Sequence, residues 1–320
     1  MSGSHTLRPV VIDELMHDPS VRDILINDAR FVAIDDGNGL RMVGTTSEAE
    51  TRAFIEREVR TSGRRIDRSS PIVDARLADG SRLCAVVAPV SVGGTCVAVR
   101  RFTLPTVDVS DFGGDELVGL VREIVQRRCN VIVTGAAGAG KTTFTNALCN
   151  EIPHGERIVT IEDTAELRLR HPHVVSLEAQ PANIEGRGAV PLSTLLRTAL
   201  RLRSDRLIVG EVRGPEVIDM LAAMNTGHLG SVSTCHANGP LDATRRLESL
   251  VLQYAPSWTP DGAREHIRAA LDVCVHVVKR ADGSREVTSV VELPLTLHHQ
   301  FVELYRMGTR VGALTRGEAS

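Results

Sequence analysis

The segment GAAGAGKT, from Gly135 to Thr142, constrains the fold of this chain more than any other feature. It fits the pattern G-x-x-x-x-G-K-[ST] and stands between the β-branched run NVIVTG and the helix-like run KTTFTNALCNEI. A glycine-rich loop between a strand and a helix cradles nucleotide phosphates with its backbone N–H groups and the helix N-terminus. The segment therefore predicts a phosphate-binding loop in an α/β domain.

The motif also predicts which loop residues bind the nucleotide. Lys141 is expected to reach the β- and γ-phosphates, and the Thr142 hydroxyl is expected to ligate Mg²⁺. The predicted ATP-binding residues of the loop are Gly135, Ala136, Ala137, Gly138, Ala139, Gly140, Lys141, Thr142 and Thr143. ATP and Mg²⁺ are the ligand and the cofactor that this motif implies.

Short apolar runs alternate with helical patterns on both sides of the loop. The runs cover residues 130–135, 157–162, 206–211 and 230–236, and the helical segments include residues 141–152, 192–202 and 215–227. Runs of this length and composition are typical of strands that are buried on both faces. Their alternation with helices predicts a parallel, doubly wound sheet.

The length of 320 residues suggests two domains. The early part of the chain mixes strand and helix patterns, and the ADGS turn at 78–81 predicts a β-hairpin. The uncharged run 83–99 is divided by Pro89 and a Gly-Gly turn, which favours a second hairpin over a membrane span. We predict an α+β domain at residues 1–104, a linker at 105–115 and an α/β domain at 116–320.

The composition limits the classes of partner and the compartment. The 37 basic residues nearly balance the 40 acidic ones, and only 3% of residues are aromatic, so nucleic acid is not an expected partner. The six cysteines include no C-x-x-C pair, which argues against a zinc ribbon and a disulfide framework and favours a reducing compartment. The opening residues lack an apolar signal-peptide core, so a cytoplasmic location is expected.

Reactive side chains follow the predicted strands, where ligands of open α/β sheets bind. The second strand runs into EDTAE, which contains Glu162, Asp163 and Glu166. The third ends at Glu211, which resembles a Walker B carboxylate, and the fourth ends at His236. The sequence therefore places a phosphate cradle, carboxylates for Mg²⁺ and water, and an imidazole at one edge of the sheet.

His228 and His236 share the segment GHLGSVSTCHANGP, but they are not expected to share a metal. If the residues between them form a strand, the two side chains lie about 20 Å or more apart. His236 is the stronger candidate, as a γ-phosphate sensor or a donor to transition-state charge. His228 is a weaker candidate, because the helix dipole alone favours a histidine just past a helix end.

Four motifs together resemble one family. The segments GAAGAGKTT, TIEDTAEL, LIVGEVRGPE and GHLGSVSTCHAN occur in the order of the Walker A, Asp, Walker B and His boxes of the type II/type IV secretion ATPase superfamily. Within it, the segment SPIVDARLADGSR and the VRRF motif are most similar to the tight-adherence (Tad/Flp) pilus branch. Ser204 departs from the family pattern, which usually has proline before Asp205.

The resemblance implies a RecA-like P-loop NTPase domain preceded by a smaller α+β domain that covers the nucleotide. It further implies a hexameric ATPase at the inner face of the cell membrane, which works with an inner-membrane platform protein of a pilus or secretion system. By the same resemblance Glu166 is the general base, Glu162 and Asp163 shape the magnesium and water shell, Glu211 is the Walker B glutamate, and His236 senses the nucleotide.

Arginines are expected to supply further positive charge for phosphoryl transfer. Arg100 and Arg101 resemble nucleotide-contacting arginines of the family. Arg197 and Arg201 are spaced for one face of a predicted helix, and Arg213 follows the Walker B glutamate. Each of these side chains could equally be a solvated charge or part of an interface salt bridge.

Three functions are compatible with these features. The leading hypothesis is an ATP-hydrolysing motor for pilus assembly or secretion. The second is a conjugation or nucleic-acid-associated RecA-like ATPase, which would need a basic channel that the net charge of −3 does not indicate. The third, from a different class, is an ATP-binding assembly scaffold with low turnover.

Overall fold

The computed structural model describes residues 7–60, 64–77, 79–101, 107–182, 187–295 and 300–317. The chain divides into two compact units, Met1–Pro105 and Thr106–Ser320. In the described part of the chain, no helix combines the length and the apolar composition that a membrane span requires. The chain has the expected mixed α/β composition, with one β-sheet in each unit.

The described residues of the first unit form an antiparallel sheet and two helices. The helices are α1 (Ile12–His17) and α2 (Glu48–Arg60), and the strands are β1 (Asp23–Asn27), β2 (Phe31–Asp35), β3 (Leu40–Thr45), β4 (Ile72–Arg76), β5 (Arg82–Val86) and β6 (Cys96–Arg100). The strand order is β3-β2-β1-β6-β5-β4. Antiparallel pairing of β4 with β5 and of β5 with β6 confirms both predicted hairpins, although Ala78 lies outside the described residues.

Helix α2 forms because its apolar residues recur at helical spacing. Thr51, Phe54, Ile55 and Val59 are buried, whereas its charged residues are mostly exposed. The buried side chains pack in one core with the inward-facing residues of the strands, such as Ile24 of β1. The alternating burial along β1 and β5 leaves the other side chains of these strands only partly covered.

The second unit is a nine-stranded sheet with helices. The helices are a 3-10 helix (Val109–Phe112), α3 (Asp115–Gln126), α4 (Lys141–Cys149), α5 (Leu192–Ala199), α6 (Glu216–Asn225), α7 (Pro240–Tyr254) and α8 (Pro260–Ala270). The strands are β7 (Val131–Gly135), β8 (Ile158–Glu162), β9 (Val174–Glu178), β10 (Arg206–Val209), β11 (Val232–His236), β12 (Val273–Lys279), β13 (Arg285–Glu292), β14 (Val302–Arg306) and β15 (Thr309–Arg310). Their order is β15-β14-β13-β12-β7-β11-β10-β8-β9.

The four predicted strands of this unit are confirmed as the parallel strands β7, β8, β10 and β11. The structure adds two parallel strands, β9 and β12, at either side of them. Strands β13, β14 and β15 then continue the sheet in antiparallel fashion. Separate apolar clusters cover the two faces of the sheet, which explains the near-continuous apolar composition of its central strands.

Part of the predicted linker 105–115 has regular structure. Residues 105 and 106 lie outside the described residues, but Val109–Phe112 form the 3-10 helix. Val109 and Phe112 are buried in the core of the second unit, and the Phe112 ring meets the Phe144 ring edge to face at 5.1 Å. These two apolar side chains therefore fasten the segment to the second unit.

Candidate nucleotide site

The glycine-rich loop lies between β7 and α4, as the motif predicts. Gly135, Gly138 and Gly140 all have positive φ, of 156°, 73° and 98°. A Cβ on Gly135 would lie 2.4 Å from the carbonyl oxygen of Val277 in β12, so glycine is required there for close packing as well as for conformation. The loop leads directly into the N-terminus of α4, where backbone N–H groups favour anions.

Lys141 begins α4 and is buried, with 7% of its surface exposed. Its Nζ donates to the carbonyl oxygens of Gly135 (3.2 Å) and Ala136 (3.1 Å) and to Nδ1 of His236 (3.0 Å). Burial lowers the pKa of Lys141 below its ordinary 10.5, and the nearby charge of Glu211 opposes this shift. The lysine is thus held at the mouth of the loop by three acceptors.

His236 connects Lys141 to Glu211. The lysine ammonium can only donate, so Nδ1 of His236 is the acceptor in this contact. Nε2 lies 3.2 Å from Oε1 of Glu211. Lys141, His236 and Glu211 therefore form one line of side-chain contacts, with a hydrogen bond between Lys141 and His236 and an ion-pair-distance contact between His236 and Glu211.

Glu162 is the last residue of β8, and its side chain contacts the backbone of the turn that follows. Its side chain is 3% exposed, and its Oε1 accepts the backbone N–H groups of Glu166 (2.9 Å) and Leu167 (3.0 Å). Burial raises the pKa of Glu162 to about 7, against the lowering effect of these two hydrogen bonds. The carboxyl group holds the turn that carries Glu166, because it faces the backbone of that turn.

Asp163 and Arg213 are ion-paired through Oδ2 and Nη2. This pair joins the Asp box after β8 to the segment after β10. The backbone N–H groups of Arg213 and Gly214 both donate to Oε1 of Glu216 at 2.7 Å, which fixes the turn before α6. Arg213, a predicted arginine sensor, therefore neutralises Asp163 within the same chain.

Arg285 contacts the phosphate-binding loop and was not predicted from the sequence. Its Nη1 donates to Oγ1 of Thr143 at 3.2 Å. It begins β13, just after the turn ADGS at residues 281–284, which is the same tetrapeptide that predicted the hairpin between β4 and β5. The ADGS signal at residues 281–284 could have predicted the hairpin of β12 and β13, but not the contact between Arg285 and Thr143.

The predicted arginines of the first unit lie at the end of β6. Arg100 is exposed and stands opposite Asp23 and Arg82 in the sheet. Arg101 donates from Nη1 to the carbonyl oxygens of Asp18 and Val21, the latter at 3.3 Å. Arg101 is therefore tethered to the backbone of its own unit.

The prediction that Arg197 and Arg201 share a helical face is wrong. Helix α5 ends at Ala199, and Arg201 lies in the turn that follows. The hydroxyl of Ser204 donates to the Ala199 carbonyl at 3.1 Å, and Arg203 has a φ of 53°, so the chain turns away here. Arg197 remains on α5 and pairs with Asp219 of α6, with Nε and Oδ1 2.9 Å apart.

His228 lies in the turn between α6 and β11, at the end of the strand opposite to His236. Its backbone N–H donates to the Ala223 carbonyl at 3.3 Å, and its own carbonyl accepts the Ser231 hydroxyl at 2.6 Å. These contacts close the C-terminus of α6. The structure thus places His236, but not His228, next to the phosphate-binding loop.

This fold and this site define a RecA-like P-loop NTPase domain that follows an N-terminal α+β unit in the chain. The chain belongs to the type II/IV secretion system protein family, whose model matches residues 8–306. The match spans both units, so the family identity covers the N-terminal sheet as well as the nucleotide site.

Curated relatives cover most of the chain. It is 38% identical over 298 residues to a putative conjugal transfer protein of Mycobacterium tuberculosis, covering 88% of this chain and 84% of the relative. It is 30% identical over 287 residues to the conjugal transfer protein TrbB of Rhizobium radiobacter, with 87% and 85% covered. It is 32% identical over 299 residues to the type IV secretion system protein PtlH of Bordetella pertussis, with 83% and 88% covered.

Solved structures share the fold. The pilus retraction motor PilT with bound ADP aligns with a TM-score of 0.65 at 23% identity, over 87% of this chain and 80% of PilT. The Legionella pneumophila ATPase DotB aligns with a TM-score of 0.63 at 20% identity, over 92% and 83% of the two chains. At these identities the likeness concerns the fold alone.

Proposed function

We propose that this protein is a Mg²⁺-dependent ATPase that works as a hexameric motor for pilus assembly or type II/IV-like secretion. The observation that carries this proposal is the chain of contacts from Lys141 through His236 to Glu211 beside a phosphate-binding loop. These groups can bind the terminal phosphates and respond to the charge that develops on them.

Glu166 is the proposed general base, by the resemblance of TIEDTAEL to the Asp box of the family. Three carboxylates lie at the end of β8 and in the turn after it, and each has a different environment. Glu162 is buried against backbone N–H groups, and Asp163 is neutralised by Arg213. Glu166 is half-buried in the turn that Glu162 holds, and a partly exposed carboxylate there can orient an attacking water.

The residues present fit a magnesium ion. Mg²⁺ in nucleotide sites takes one or two protein ligands and completes its shell with phosphates and waters. Thr142, in the first turn of α4, and Glu211, after β10, provide a hydroxyl and a carboxylate for it. Bound Mg²⁺ would neutralise charge on the β- and γ-phosphates. Asp163 is a less suitable ligand while it is paired with Arg213.

Substitution of the proposed base separates a motor from a scaffold. Glu166→Gln keeps the shape of the side chain and removes the base, so we expect nucleotide affinity to stay within about twofold while turnover falls by about 100-fold or more. Equilibrium binding of a fluorescent ATP analogue and phosphate release measure the two quantities. A wild-type chain that binds ATP without turnover would favour the scaffold, and full turnover in the variant would exclude Glu166 as the base.

The tight-adherence pilus branch is our preferred assignment, on the four boxes and the SPIVDARLADGSR segment. A conjugation role is the second candidate, because several relatives, including those of Mycobacterium tuberculosis and Rhizobium radiobacter, carry conjugal transfer names. The net charge of −3 offers no general attraction to nucleic acid. Stimulation of ATP hydrolysis by single-stranded or duplex DNA would favour conjugation, and the absence of stimulation would favour the pilus or secretion role at the inner face of the membrane.

A further inference from the structure

The hairpin of β12 and β13 packs against the phosphate-binding loop from the side opposite to the predicted catalytic groups. The strand order runs β13-β12-β7-β11-β10-β8 through the centre of the sheet. His236, Glu211 and Glu166 come from β11 and from the segments after β10 and β8, all on one side of β7. The hairpin lies on the other side and carries Arg285.

Arg285 lies across the N-terminus of α4. Its guanidinium donates to Thr143 at 3.2 Å, and its Cδ would be 2.4 Å from a Cβ placed on Gly140. The absence of a side chain at Gly140 is what allows the arginine stem to lie there. A guanidinium has five N–H donors in a planar fork, so the bond to Thr143 leaves donors that can face a phosphate.

The direction of the phosphate chain follows from this arrangement. The terminal phosphate must face Lys141, His236 and the carboxylates on the β11 side of the loop. The α-phosphate and the nucleoside then leave the loop on the β12 side, where Arg285 is. We propose that Arg285 is a nucleotide-binding residue supplied by the same chain, which contacts the α-phosphate and the base end of ATP and ADP alike. This inference rests on the proposed function.

The inference predicts equal losses for the two nucleotides. A hydrogen bond to a charged group contributes about 1.5 to 3 kcal/mol. Arg285→Ala should therefore lower the affinity for Mg²⁺-ADP and for a non-hydrolysable Mg²⁺-ATP analogue by about 10- to 100-fold each, with similar factors for the two nucleotides. Arg285→Lys keeps a cation and a stem over Gly140, so its loss should be intermediate. Arg280→Ala removes another arginine of the same hairpin, one paired with Glu286, and should leave both affinities unchanged.

Titration calorimetry on the full-length chain measures these affinities, and circular dichroism checks that each variant is folded. Wild-type affinity for both nucleotides in Arg285→Ala overturns the inference, as does a loss confined to the ATP analogue, which would place Arg285 at the γ-phosphate. Those two results leave the proposed function intact. A wild-type chain that binds neither nucleotide overturns the proposed function together with this inference.

Discussion

Glu162 gives the stability of the protein a pH dependence that one substitution should remove. The carboxyl group is 3% exposed, its Oε1 accepts two backbone N–H groups, and its Oε2 has no hydrogen-bond partner among the described residues. Ionisation therefore places a charge in a site that satisfies only one of its oxygens. Glu162→Gln keeps the acceptor for the two N–H groups and removes the titration.

The size of the effect follows from the pKa. Burial raises the pKa of Glu162 from its ordinary 4.5 to about 7. Below pH 4.5 the carboxyl is protonated in both the folded and unfolded states. As the pH rises towards 7, the unfolded state releases its proton first, so the free energy of unfolding falls. At about 1.4 kcal/mol per pKa unit, the total loss is about 3 kcal/mol, most of it between pH 5 and pH 7.

Urea unfolding at pH 5, 6, 7 and 8 would measure this loss as the difference between the wild type and Glu162→Gln. We expect the variant to gain about 2 to 3 kcal/mol relative to the wild type from pH 5 to pH 8. Glu178→Gln is the matched control, because Glu178 stands opposite Glu162 in β9, accepts a backbone N–H of the same turn, and is exposed. The reasoning would be refuted if the difference in free energy of unfolding between the wild type and Glu162→Gln did not change with pH.

Two further predictions concern stability and assembly. Arg206 is 1% exposed and binds both carboxylate oxygens of Glu156, at 2.7 and 3.0 Å, so Arg206→Ala should lower the free energy of unfolding by about 3 to 5 kcal/mol in denaturant melts. If Arg100 or Arg101 completes the site of a neighbouring copy, ATP turnover per chain should rise with protein concentration as the oligomer forms. Full turnover by a monomer, established by light scattering, would contradict this second prediction.

The sequence predicts the central part of the fold well because local patterns determine it. The phosphate-binding loop, the strand before it and the helix after it are all specified within residues 130–152. The parallel strands that deliver Glu211 and His236 are likewise short apolar runs that need no distant information. The end of α5 is different. The Ser204 hydroxyl binds the Ala199 carbonyl and Arg203 has a left-handed backbone conformation, and helix periodicity predicts neither feature.

The sequence pattern does not predict which way the side chains of the carboxylates at the end of β8 and in the turn after it point. Glu162 ends β8 and Asp163 and Glu166 follow it. Glu162 turns inward, Asp163 pairs with Arg213, and Glu166 lies half-buried in the turn. Spacing along the chain cannot separate them, because the difference depends on which backbone and which cation each carboxylate meets. Their assignment to distinct roles therefore needs the packed structure.

Arg285 illustrates a second limit, which concerns topology. Its contact with Thr143 joins residues 142 positions apart, and it depends on β12 pairing with β7 on the side away from β11. The rule that sites form at the carboxyl ends of parallel strands directs attention to β8, β10 and β11. A nucleotide has two ends, however, and in the proposed binding mode those strands serve the phosphate end. In the same binding mode the hairpin of β12 and β13 lines the nucleoside end, so binding residues for that end are sought after the last parallel strand.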